Sequence, residues 1–259
     1  MPQQRSPARP GHAPAARSRA LNAHTLSDTG AADPAPDSAD LVSASQGSPP
    51  APRAASKLQG RILGTFRNTY YDFPSEPDFQ GELVALKDAR CNTIKQVPRG
   101  FYESVCVQGS GTLATGTTVS FAKRDCSCAP ICPRTEQKIC FEALDHEKFP
   151  WGRGATGNAI TPLLTAAVDS DVIPIDTPIY IPEFDGAPRD PNSNAPHDGC
   201  FIAQDRGVRV KGKHVDLFTG SPGLTRLWNQ VVPSNRGVTV VLDSPRCARE
   251  GDVSKKLKR

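Results

Sequence analysis

Short apolar runs, each cut off by glycine, proline or asparagine, dominate the chain from residue 58 onward. "GRILGTFRNTYYDF", "ELVALKD", "FYESVCVQ" and "TTVSFAKRD" come first; "LLTAAV", "PIYIPEF", "GCFIAQD", "KHVDLF" and "GVTVVLD" follow. Runs of this length bounded by turn residues read as β-strands. In the first, Ile62, Gly64 and Phe66 alternate with Arg61, Leu63 and Arg67. "TLATGTTV" reads as a hairpin turning at Gly116. The 25 prolines and 21 glycines suit such a loop-rich sheet protein better than a helical bundle. An all-β chain with many short strands must protect its sheet edges, and closure into a small barrel removes them.

Helical signals are few. "SPGLTRLWNQVV" is the best: Ser221 can cap and Pro222 suits the first helical position. Leu224, Leu227, Trp228 and Val231 then share one face. A second short helix is expected in "EQKICFEALDHEKF". Residues 1–57 are rich in Ala, Pro, Ser, Arg and Asp and hold no aromatic residue. Such a composition buries too little to offset chain entropy, so a disordered tail or linker is expected. A barrel domain over 58–250 with a cysteine-rich insertion over about 75–153, then a charged tail over 251–259, completes the expected organisation.

The net charge of +4 is too mild for a nucleic-acid binder, though it suits an anionic polymer. No apolar segment is long enough to span a bilayer. Eight cysteines, with no CxxC motif, point to disulfides and an oxidising compartment. "MPQQRSPARPGHAPAARSRA" shows no signal-peptide core, which opposes the cysteine signal. The cysteines take precedence, and a secreted, periplasmic or outer-envelope protein is expected. Within "CSCAPICPRTEQKIC", Cys126, Cys128, Cys132 and Cys140 have two readings: disulfides, or a four-thiolate zinc site. Disulfides are favoured, with no metal and no cofactor. Their connectivity is open.

Lone aspartates stand at strand ends in "AVDSDVIPIDTPIYIPEFDG" and "HDGCFIAQDRGVRVKGKHVDLFTG": Asp169, Asp205 and Asp216. Aspartates there often satisfy only turn amides. The ordered pattern, however, closely resembles the three-aspartate, or 3D, domain. This is the C-terminal catalytic barrel of the membrane-bound lytic transglycosylase A family. The resemblance spans about residues 154–220, and "GATGNAITP" is similar to the small-residue segment before the family's first aspartate. "NTYYDF" resembles a Gly-Tyr-Tyr segment of the full enzymes. Departures are Arg206 and Arg209, where small residues are usual, and the insertion "DGAPRDPNSNAPHDG". Residues 75–153 do not resemble the family's second domain; they are expected to pack on the barrel as a disulfide-tied elaboration and to form part of the groove.

The resemblance implies a six-stranded double-psi β-barrel with a disulfide-rich inserted segment and one or two short helices. It also implies a monomeric lytic transglycosylase acting on peptidoglycan or a related polysaccharide, cleaving the MurNAc-GlcNAc bond to a 1,6-anhydro end. One acid suffices for that chemistry because the sugar's own 6-hydroxyl is the nucleophile. The acid protonates the departing oxygen and then takes the hydroxyl proton. Asp216 corresponds to that acid. Asp205 would raise its pKa as a neighbouring carboxylate, and Asp169 would brace the barrel or support the site. Substrate contacts are expected from Thr69, Tyr70, Thr156, Gly207 and Lys211, with Tyr71 as a further stacking candidate. His214 reads as a strand-end cap, and His197 with Asp198 as a solvated turn. Trp151 and Trp228 read as packing residues. The alternative is a non-catalytic, expansin-like module that binds polysaccharide or loosens the wall.

Overall fold

The computed structural model describes residues 58–190 and 195–248. The expected tails over 1–57 and 251–259, and part of the "DGAPRDPNSNAPHDG" insertion, lie outside the described residues. The first strand, β1 (Arg61–Tyr71), leads into β2 (Leu83–Lys87) and β3 (Thr93–Pro98). Helix α1 (Arg99–Gln108) follows, then β4 (Ser110–Thr112), β5 (Thr118–Lys123), β6 (Ile131–Cys132), β7 (Gln137–Lys138) and β8 (Cys140–Leu144). The chain continues with β9 (Thr165–Val168), β10 (Pro178–Pro188), β11 (Pro196–Asp205) and β12 (His214–Phe218). It ends with α2 (Pro222–Val231) and β13 (Val238–Leu242).

Six strands close into a barrel in the order β1-β12-β9-β11-β10-β13. β1 runs parallel to β12 and β9 parallel to β11, while the other barrel neighbours are antiparallel. Closure leaves no unpaired edge in this sheet. The interior is packed by Phe66, Ala166, Val168, Ile179, Ile181, Phe184, Phe201, Ala203, Val215, Leu217, Val238 and Val240. Trp228 of α2 is fully buried against this core, stacks on Phe184 and donates its indole N–H to Pro188 O at 2.9 Å.

Residues between β1 and β9 build a second sheet system. β4, β5 and β8 form one sheet, while β2-β3 and β6-β7 pair separately. α1 packs Phe101, Tyr102, Val105 and Cys106 onto a second core with Val97, Val119 and Phe141. Four disulfides join Cys91–Cys128, Cys106–Cys132, Cys126–Cys140 and Cys200–Cys247. The four-thiolate set of Cys126, Cys128, Cys132 and Cys140 is therefore not assembled: Cys132 bonds to Cys106 on α1, away from the rest.

Several local expectations change. "FYESVCVQ" is helix, not strand. Its buried residues 101, 102, 105 and 106 repeat at helical spacing, and Gly109 ends it in the left-handed region (φ 84°). "EQKICFEALDHEKF" holds β7 and β8 rather than a helix, because pairing with β5 and the Cys126–Cys140 bond override its helix-forming residues. Ile62 is 54% exposed, since a register shift between Ile62 and Gly64 breaks the alternation of β1. α2 starts as expected, with Leu224 N donating to Ser221 Oγ at 3.2 Å. Its apolar face ends at Trp228, and Val231 is exposed. The insertion carries a hairpin extension, pairing Asp185 with Asp198 and Pro188 with Pro196. His197 lies in it fully buried rather than solvated: its Nε2 is 2.7 Å from Leu163 O, and Gly199 N donates to its Nδ1.

Candidate active site

Period-two alternation explains how buried strands present acids. In β12, Val215 and Leu217 point into the barrel, so His214, Asp216 and Phe218 point outward. In β1, Phe66 and Tyr70 join the barrel core, leaving Arg67, Thr69 and Tyr71 on the outer face. Parallel pairing then sets Thr69 opposite Asp216 and Arg67 opposite His214. β11 reaches the same face at its end, where a register shift between Ala203 and Asp205 re-aims the chain.

This face floors a groove of about 840 Å³, and α1's end with the β5–β8 region forms the opposite wall. Asp205 and Asp216 are its only carboxylates among the lining residues. Arg124, Arg134, Arg153, Arg206 and Lys211 line it as well. Arg153 is paired with Glu142. Small residues let the "GRGATG" segment lie close: a Cβ on Gly154 would meet Gln204 O at 2.3 Å. Gly207 similarly has no room for a Cβ, with Val210 Cγ2 2.6 Å from where it would sit.

The two acids differ in their partners. Both oxygens of Asp205 take donors: Arg206 N at 2.8 Å to Oδ1 and the Tyr71 hydroxyl at 3.0 Å to Oδ2. Asp216 Oδ1 lies 2.6 Å from Thr69 Oγ1, and its Oδ2 takes no hydrogen bond from the described residues. Burial pushes Asp216 up to about 6, with the Thr69 contact and the Arg67 charge pulling the other way. Burial also pushes Asp205 up to about 6, and the Asp216 charge adds to it, while its two donors oppose the rise. Between burial and the two carboxylates, the Tyr71 phenol is raised well above its usual range. The arrangement is a half-buried acid that lines a groove, with one oxygen unbonded among the described residues and a second carboxylate beside it.

The other expected site residues separate. Asp169 stands apart from the groove: its Oδ2 accepts from Gly212 N at 2.8 Å and its Oδ1 from Asp171 N at 3.2 Å. These amides hold its carboxyl below the usual range. It ties the β11–β12 loop to the end of β9. Tyr70 turns its ring inward, edge-on to Phe184 and Trp228, and its hydroxyl donates to Val232 O, while it also contributes to the lining of the groove. Thr156 is an exposed turn residue accepting from Asn158 Nδ2 at 3.0 Å. Gly207 and Lys211 line the groove. Arg206 lines it too, whereas Arg209 reaches across to donate to Arg134 O at 2.6 Å.

The cross-linked segment forms part of the groove as expected, but the sequence singles out no residue of that far wall. Arg124 and Arg134 sit in a segment whose placement depends on disulfides.

Residues 164–225 match the family model of the 3D domain. No curated protein matches the sequence. Similar solved structures include Escherichia coli MltA with bound chitohexaose, at 17% identity over 70% of this chain and 72% of that one, TM-score 0.47. The membrane-bound lytic murein transglycosylase from Agrobacterium tumefaciens is 14% identical over 75% of this chain and 76% of its own, TM-score 0.46. MltA from Neisseria gonorrhoeae is 16% identical over 58% and 46%, TM-score 0.39. The chain thus carries a 3D domain, and the stretch that matches it holds Asp169, Asp205 and Asp216.

Proposed function

We propose that this protein is a lytic transglycosylase that cleaves peptidoglycan, or a related carboxylate-bearing glycan, with Asp216 as acid and then base. The observation that carries the reading is Asp216 itself: it lines the groove, its Oδ2 takes no hydrogen bond from the described residues, and its pKa is raised to about 6. A carboxyl in that range is partly protonated near neutrality, as a general acid requires. It gives its proton to the departing glycosidic oxygen. The carboxylate so formed accepts the proton of the sugar's 6-hydroxyl as that oxygen closes on the anomeric carbon. Asp205, held by Arg206 N and Tyr71, supplies negative charge beside the developing cation when it is ionised.

The cationic lining supports an anionic glycan. Five basic residues line the groove, one of them, Arg153, paired with Glu142, against two acids on its floor. Carboxylates on the substrate would offset them. Four disulfides favour an oxidising, extracytoplasmic setting. Among the described residues no helix is long and apolar enough to cross a membrane.

Mass spectrometry of products from purified sacculi tests the reading. Transglycosylation yields muropeptides with 1,6-anhydro ends, each one water lighter than the product of hydrolysis. Reducing ends would make the enzyme a hydrolase. Sedimentation with the glycan and no soluble product would favour the binding module instead.

A further inference from the structure

The Thr69 hydroxyl sits between two titratable groups. Its Oγ1 is 2.6 Å from Asp216 Oδ1 and 2.8 Å from His214 Nε2. His214 Nδ1 faces Arg209 O at 3.3 Å. A carbonyl oxygen only accepts, so Nδ1 carries a hydrogen. A hydroxyl has one proton to give. Two arrangements then satisfy every contact. In one, a protonated Asp216 donates to Thr69, and Thr69 donates to the lone pair on Nε2 of a neutral imidazole. In the other, Thr69 donates to an ionised Asp216 and accepts from Nε2–H of an imidazolium. The two hold the same number of protons. They differ by one hop in which the Oδ1–H and Oγ1–H bonds break while new Oγ1–H and Nε2–H bonds form.

We propose that Asp216, Thr69 and His214 form a proton relay, in which His214 stores a proton and returns it through Thr69 to the inner oxygen of Asp216. The outer oxygen is left to face the groove. His214 touches no substrate in this scheme; it is a relay residue acting through Thr69. The strand geometry brings the three groups together: 214 and 216 are successive outward positions of β12, and Thr69, paired with Asp216 from β1, contacts both side chains. His214 is buried, which limits exchange with bulk water. Burial lowers its pKa while the Arg209 contact raises it, and Asp216 is raised, which brings the two groups closer in proton affinity. Arg67 faces both groups from β1 and disfavours the imidazolium. Asp205 from β11 and Tyr71 from β1 complete the titratable groups around Asp216. Lys211 lies at the groove end of the β11–β12 loop.

The test is nitrogen-detected NMR titration of His214 in the intact protein, which needs no substrate and so stands apart from the glycan-cleaving reading on which the relay's catalytic use rests. In the wild type, the Nε2 shift should follow two coupled steps. Asp216→Asn, which removes the anion, should lower the His214 midpoint by about one unit. Thr69→Val keeps shape and charge but cuts the link. It should collapse the two steps into one and change the Nε2 shift, and Thr69→Ser should restore both. A His214 titration identical in wild type and Thr69→Val overturns the relay. If Thr69→Val does not fold, an unmoved midpoint in Asp216→Asn overturns it.

Discussion

Asparagine in place of Asp216 should cut release of anhydro products by about a hundred- to ten-thousand-fold, the usual worth of a general acid-base group. Glycan binding should stay within about threefold of wild type. The amide keeps the shape of the carboxyl, and its oxygen can still accept from Thr69. It cannot lend a proton to the leaving oxygen or take one from the attacking hydroxyl. Asp205→Asn should fall less, because both Asp205 oxygens are already engaged by Arg206 N and Tyr71 and neither is free to exchange protons with a sugar. Parallel product and binding assays on both variants check this. Equal losses would move the acid role to the pair, and a larger loss at 205 would reverse the assignment.

The same substitution should stabilise the protein at neutral pH. Each floor carboxyl has a native pKa of about 6 against an ordinary 3.8, chiefly from burial. A shift near two units corresponds to about 3 kcal/mol per group. The native state therefore binds protons more tightly than the unfolded chain. Its contribution to stability is full below pH about 4 and is lost as pH rises through about 6. At pH 7.5 the wild type holds ionised carboxyls in a poorly solvated floor, and Asp216→Asn removes one of them. It also removes a charge that raises Asp205. Thermal melts should place Asp216→Asn several degrees above wild type at pH 7.5 and no higher than wild type at pH 4. An advantage of equal size at both pH values would mean the gain is packing, not charge.

Much of the barrel was legible because its code is local. The runs "LLTAAV", "PIYIPEF", "GCFIAQD", "KHVDLF" and "GVTVVLD" each contain the strand expected of them. The Ser221-Pro222 signal starts a helix where it stands. The inserted region was harder. In "FYESVCVQ" aromatic and β-branched residues favour a strand, yet its burial repeats at helical spacing. In "EQKICFEALDHEKF" a helix-forming composition yields to a disulfide and a neighbouring strand. The floor of the groove followed from the aspartate pattern. The individual residues of the far wall did not, because Arg124 and Arg134 lie in a segment held by cross-links between residues 26 and 37 apart in the chain. Nor did the Thr69–His214 contact, which depends on the parallel register of β1 with β12. No periodicity in either strand encodes that register.

β12 alternates residue by residue between grease and chemistry, with Val215 and Leu217 on one side and His214 and Asp216 on the other. One residue added or lost within it would turn the strand inside out, sinking the acid among hydrocarbons and stranding the valine in water. Loops can thus lengthen and the opposing wall be redecorated without moving the acid, whereas any change of spacing inside this strand would displace it. Change of glycan preference should be sought across the groove, in the cross-linked segment, where insertions leave the acid in place.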